Sequence, residues 1–166
     1  TGGRPWMPEA LPGIEHAITS NEAFHLAQLP KRVVVVGGGY IALEFACIFN
    51  GLGSDVTVVH RGPNVLRGFD DDIRSHVAEE MEAAGVHVRL GAQLSRIEKT
   101  ADGLVVHCVD GHSQPTDVVM FAVGRVPYTD DLGLQNAGVE LTETGAVKVD
   151  EYSRSSVDNI WAVGDV

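Results

Sequence analysis

Four consecutive valines, Val33 to Val36, run directly into GGGYIALEFACIFNG, and this junction limits the possible folds more than any other feature. An unbroken β-branched run predicts a parallel strand buried on both faces. Gly37, Gly39 and Ala42 then supply the spacing G-x-G-x-x-A at a turn opening a helix from about Gly39 to Asn50, and a second apolar strand follows near Val56. Strand, glycine turn, helix and strand in this order predict a dinucleotide-binding unit. The first glycine permits a tight turn, the second lets backbone N–H groups approach phosphate oxygens, and the small third residue lets helix and strand pack closely. Gly38, Tyr40 and Ile41 complete the turn and helix start assigned to the cofactor, where the helix dipole adds partial positive charge.

The end of the second strand separates NADP from NAD. NAD sites tend to place a carboxylate there to bind the ribose 2′-OH, and that charge would repel a 2′-phosphate. Here the strand ends on His60, followed by Arg61, with Arg67 six residues further on across the Gly62–Pro63 turn. Two guanidiniums at this place are expected to close on one phosphate of NADPH, each donating paired hydrogen bonds and staying charged at every working pH. The alternative for Arg61 and Arg67 is ordinary solvated surface charge. Against a formal net charge of −11, a local basic pair is what a polyanion would need. Asp70, Asp71 and Asp72 read as the acidic start of the next helix, and His60 could add charge below about pH 6.5.

At 166 residues with 44% apolar content the chain suits a soluble globular protein of ordinary domain size. No run of roughly 18 apolar residues is present and no secretory pattern opens the chain, so no membrane partner is expected. The acidic balance and the lack of basic patches argue against nucleic acid. Cys47 and Cys108 form no CxxC or CxxxxC pair and read as buried, inert thiols, and seven histidines without a ligand spacing predict no metal site.

Along the chain, residues 1–16 are glycine- and proline-rich and read as a connection. Thr19 with Glu22 predicts a capping box for a short helix carrying Phe24, Leu26 and Leu29 and ending at Pro30. A helix from about Asp71 to Ala84 shows Ile73, Val77 and Met81 at spacing four, before Gly85 and a third strand at Val86 to Leu90. AQLSRIEKT, LVVHCVD and QPTDVVMFAV then read as an antiparallel three-stranded β-meander that could cover one face of the sheet. The predicted class is α/β: a Rossmann-like parallel sheet with crossover helices plus this meander. Short strands are expected at Ala146 to Val149 and Asn159 to Val163.

Taken together, GGGYIALEFA, R-x5-R, FAVGRVP and NIWAVGDV resemble the pyridine-nucleotide disulfide oxidoreductases, and within them the branch of glutathione and trypanothione reductases. The resemblance covers essentially the whole chain. It implies that residues 17–124 are the NADPH-binding domain and that residues 1–16 and 125–166 are segments of an FAD domain. It further implies that the chain is part of a longer enzyme, since the family's first flavin-binding glycine motif, its redox CxxxxC pair and its C-terminal His-Glu region are absent from this sequence. No catalytic residue is therefore assigned here. In that family hydride passes from NADPH to FAD and electrons then reach a redox disulfide that reduces a small disulfide substrate.

By the same resemblance, Tyr40 is a lid over the nicotinamide face of the flavin, Glu44 faces the nicotinamide carboxamide, Gly124 lies near the nicotinamide, Asp165 binds a hydroxyl of FAD, and Arg125 approaches the flavin. The whole enzyme is expected to be a cytoplasmic homodimer. Two other readings stand beside it. A noncatalytic nucleotide-binding module would not need the FAVGR and AVGD segments, and an NAD-linked relative would carry an acidic residue where His60 stands.

Overall fold

The computed structural model describes all 166 residues. Its elements are β1 (Gly3–Pro5), α1 (Ser20–Ala23), β2 (Arg32–Val36), α2 (Tyr40–Gly51), β3 (Asp55–His60), α3 (Asp71–Ala83), β4 (His87–Leu90), β5 (Leu94–Thr100), β6 (Gly103–Cys108), β7 (Ser113–Thr116), β8 (Val118–Phe121) and β9 (Arg125–Pro127). They divide into two compact units, one of Met7–Gly124 and one of Thr1–Trp6 with Arg125–Val166. The first unit thus begins at Met7, earlier than the composition change near residue 17.

In the first unit β4, β3, β2 and β8 form a parallel sheet in that order. Alternation along the strands sends the valines two ways. Val33, Val35, Val56 and Val58 pack with Ala42, Leu43, Phe45, Ala46 and Phe49 of α2 and Met81 of α3. Val34, Val36, Val59, Val119 and Phe121 pack instead with Leu94, Ile97, Val106 and Cys108 of the meander. The meander therefore covers a sheet face, as its apolar pattern predicts. Full burial of one such valine contributes roughly 1.5–3 kcal/mol, which is why the continuous run specifies a central strand.

The stretch Gln114–Val123, expected as one strand, is two. β7 pairs antiparallel with β6, whereas β8 pairs parallel with β2. Asp117, between them, redirects the chain. Its carboxylate accepts from the Arg32 backbone N–H at 2.8 Å and from Arg32 Nη2 at 2.6 Å, and its own N–H donates to the Arg32 carbonyl. One residue switches sheets because its side chain replaces the ladder that an extended backbone would continue.

Both long helices end in paired 6→1 and 5→2 hydrogen bonds around a glycine with positive φ. After α2 these run from Ser54 to Phe49 and from Gly53 to Asn50; after α3, from Val86 to Met81 and from Gly85 to Glu82. The turn out of α2 is made at Gly53, not at Gly51, which is the last helical residue. Asp70 caps α3 by accepting from the N–H groups of Asp72 and Ile73. Ile73 is exposed, so the apolar stripe of α3 begins at Val77.

The Thr19–Glu22 capping box is present, but α1 has only four residues and ends before Phe24. Phe24 is largely exposed with its ring edge against Phe45, and Leu29 is exposed. A nucleus of one turn does not propagate without a buried face to reward it. The preceding residue, Ile18, bridges Met120 and shields the edge of β8.

In the second unit β1 and β9 pair antiparallel from Gly3↔Pro127 to Pro5↔Arg125, so the glycine- and proline-rich start does form a regular element when a distant segment supplies the partner. The strands expected at Ala146 to Val149 and Asn159 to Val163 are absent; the isolated bridges Leu141↔Val147 and Arg154↔Trp161 stand in their place. Only Val139 and Val147 are buried there, too little apolar surface to organise a sheet.

Candidate functional site

Each position of the glycine turn has a distinct local cause. Gly37 adopts φ 142°, its N–H donates to the Val59 carbonyl, and a Cβ on it would lie 2.2 Å from the Ala122 oxygen. Only glycine fits there. A Cβ on Gly38 would meet the His60 ring at 2.5 Å. At Gly39, the N-cap of α2, a Cβ would meet nothing within 4 Å, and no side chain caps the helix. The first-turn amides are thus left without a side-chain cap, the arrangement that favours an anion. Ala42 is fully buried against β2, and Ile41 packs partly into the same core.

The loop after β3 is bound to this turn. Val65 is fully buried, its N–H bonds the Asn64 side chain at 2.8 Å, and its carbonyl accepts from Arg74 Nε at 2.7 Å. Leu66 takes a left-handed φ of 51°, unusual for a branched apolar residue, and its N–H donates to the Gly38 carbonyl at 2.6 Å. Arg61 and Arg67 sit at the two ends of this loop, both exposed, and neither is in an ion pair. The nearby acidic run is otherwise engaged: Asp71 pairs with Arg74 and Asp70 caps α3. Two guanidiniums without ion-pair partners thus end a loop that is bonded to the glycine turn.

His60 takes up charge only at a lower pH than its ordinary value suggests. Burial pushes its imidazole pKa below the ordinary value and the adjacent Arg61 charge pushes it further. Tyr40 and Glu44 lie one turn apart on the exposed side of α2, Tyr40 at 59% exposure. Gly124 is at φ 150° at the end of the first unit. In the second unit the Arg125 guanidinium donates to the Gly3 carbonyl, and Asp165 is exposed without an ion-pair partner. Of the two thiols, Cys108 is buried with its pKa raised by burial, whereas Cys47 is exposed, correcting the expectation that both are buried. Cys47 falls on the outer side of α2 beside the exposed Ile48, since the inner stripe is taken by Leu43, Ala46 and Phe49.

Sequence reasoning missed Asn64, Leu66 and Arg74. Nothing in their spacing marks them, because their work is to hold backbone.

The family model of the pyridine nucleotide-disulphide oxidoreductases matches residues 1–166. The chain belongs to that family. Among its relatives in the family are a glutathione reductase of Burkholderia cepacia, 48% identical over 100% of the chain and 37% of that protein, and a trypanothione reductase of Trypanosoma congolense, 46% identical over 100% of the chain and 34% of that protein. The chain thus spans little more than a third of the length of these curated relatives. Among solved structures, the HOCl-induced flavoprotein disulfide reductase RclA from Escherichia coli superposes with a TM-score of 0.91 at 34% identity, over 99% of this chain and 38% of that one. An engineered water-forming NADPH oxidase bound to NADPH superposes with a TM-score of 0.84 at 32% identity, over 99% of this chain and 37% of that one.

Proposed function

We propose that this chain is the NADPH-binding part of a flavin-dependent reductase of small disulfides, of the glutathione-reducing kind. The observation that carries the reading is the unpaired Arg61 and Arg67, tied to the glycine turn through Leu66 and Gly38. The NADPH-bound oxidase supports it. Two of its five substitutions introduce arginines six positions apart, the spacing of Arg61 and Arg67, and a third removes an aspartate just before the first of them, the relative place that His60 holds here.

The residues present fit the dinucleotide. The open face at Gly39 and the uncapped amides of α2 receive the pyrophosphate, and Arg61 with Arg67 bind the 2′-phosphate. Tyr40 and Glu44, on the exposed side of α2, cover and orient the nicotinamide end, with Gly124 leaving room beside it. When bound, NADPH supplies a hydride to FAD, and the overall reaction consumes one proton and one disulfide and yields NADP and two thiols. Residues 17–124 are the NADPH domain, and residues 1–16 and 125–166 belong to an FAD domain in which Arg125 and Asp165 contact the flavin; the grouping of Thr1–Trp6 with Arg125–Val166 supports this division for those residues, whereas Met7–His16 group with the NADPH-binding unit. The whole enzyme is a homodimer of a reducing compartment such as the cytoplasm, a setting that two unpaired thiols suit. No helix is long and apolar enough to cross a membrane.

Titration calorimetry with both cofactors tests the reading. NADPH should bind at least about tenfold tighter than NADH, a difference of roughly 1.4 kcal/mol. Equal affinities overturn it.

A further inference from the structure

The ring of His60 fills a space bounded by two glycines on opposite parts of the site. A Cβ on Gly38 would lie 2.5 Å from the ring Cγ, and a Cβ on Gly62 would lie 2.6 Å from its Nε2. One side chain thus occupies the volume that a side chain at either glycine would need, touching the cofactor turn and the arginine loop at once. Its root is rigid as well, because His60 ends β3 opposite Leu90 and its carbonyl accepts from the Ala92 N–H at 3.0 Å.

The loop between Arg61 and Arg67 belongs to no ladder or helix, so its shape depends on such side-chain props. We infer that His60 is a positioning residue for cofactor choice: wedged between Gly38 and Gly62, it holds Arg61 and Arg67 in the geometry that closes on a 2′-phosphate. The inference rests on the NADPH reading and adds to it a residue that touches neither phosphate nor nicotinamide. Removing the wedge leaves both guanidiniums in place but frees the loop, and the ordering cost then falls on binding. The pyrophosphate site is spared, because Gly37 is set by its N–H bond to the Val59 carbonyl and its approach to Ala122, and Gly39 makes no contact with His60.

The test is equilibrium titration of the intact protein carrying this chain, wild type and variants, with NADPH, NADH and adenosine 2′,5′-bisphosphate. His60→Ala is expected to weaken NADPH and the bisphosphate about tenfold while NADH changes less than about twofold. His60→Gln, which fills much of the space, is expected to recover most of the loss. Should His60→Ala fail to give a cooperative thermal transition, His60→Val replaces it, filling only part of the space, with the same selective loss expected at smaller size. A bisphosphate affinity unchanged in the variant, or an equal loss for NADH and NADPH, overturns the inference alone. A wild type that does not prefer NADPH overturns the proposed function itself.

Discussion

The backbone N–H of Leu66 reaches the carbonyl of Gly38 across 2.6 Å, binding the loop that carries both arginines to the turn that carries the glycines. Two sequence motifs 22 to 30 positions apart are thereby joined, and Leu66 accepts a left-handed φ of 51° to make the contact. Strain of this sort costs on the order of 1–3 kcal/mol and persists where the surroundings over-determine it, here through buried Val65 and the Arg74 bond to its carbonyl.

If Arg61 and Arg67 bind the 2′-phosphate, changing both to alanine should weaken NADPH roughly 10- to 100-fold and leave NADH nearly unchanged. Raising ionic strength should narrow the gap between the cofactors in the wild type and do little in the variant, because exposed charges are screened. Fluorescence titration at two salt concentrations reads both effects; a matching fall in NADH affinity would show the arginines to be structural.

The glycines of the turn should part company on substitution. Gly37→Ala drives a Cβ to 2.2 Å from the Ala122 oxygen at a φ of 142°, so about 2–4 kcal/mol of stability should be lost, visible as a large drop in Tm. Gly39→Ala meets no atom and has a φ of −85° that alanine adopts freely, so Tm should hold while NADPH binding falls at least about tenfold. Thermal melts set beside titrations separate the fold from the site.

The Asp117–Arg32 pair makes stability depend on acid. Its hydrogen bond with the Arg32 guanidinium holds the Asp117 carboxyl below its ordinary value of 3.8. A depressed folded-state pKa contributes stability that is fully present above the unfolded value and lost as pH falls through the folded one. Urea melts should therefore show a loss below about pH 4 that is smaller in Asp117→Asn, which is also less stable near neutrality. An identical acid profile in wild type and variant would exclude the pair as a contributor.

The thiols should differ in reactivity. Cys47 is exposed, whereas Cys108 is buried with a raised pKa. Iodoacetamide should label one thiol per native chain and two in denaturant, with peptide mass spectrometry locating the first on α2. Fast native labelling of Cys108 would contradict the packing between meander and sheet.

Elements whose cause lies within a few residues were readable from sequence: the Val33 to Val36 strand, the glycine turn, the capping box at Thr19, the start of α3 at Asp70 and its stop at Gly85. Where the cause lies far away the reading failed. Phe24 and Leu29 look like a helix face, but α1 ends before them and leaves both exposed. Gln114 to Val123 looks like one strand until Arg32, some 85 positions back, pairs with Asp117 and divides it. The same holds within the site. Arg61 and Arg67 were visible beside a known glycine spacing, whereas Asn64, Leu66 and Arg74 act through backbone bonds that no spacing announces.

By itself the sequence determined that a dinucleotide-binding α/β unit would form, because hydrophobic alternation and glycine stereochemistry act locally. It also determined the chemistry on offer, two arginines and no acid at the end of the second strand. Only the tertiary structure decided that the loop carrying those arginines is tied to the glycine turn, that the His60 ring lies between Gly38 and Gly62, and that Cys47 faces outward. Each of these depends on which distant surface reaches a residue first, and burial, partnering and pKa are properties of that encounter.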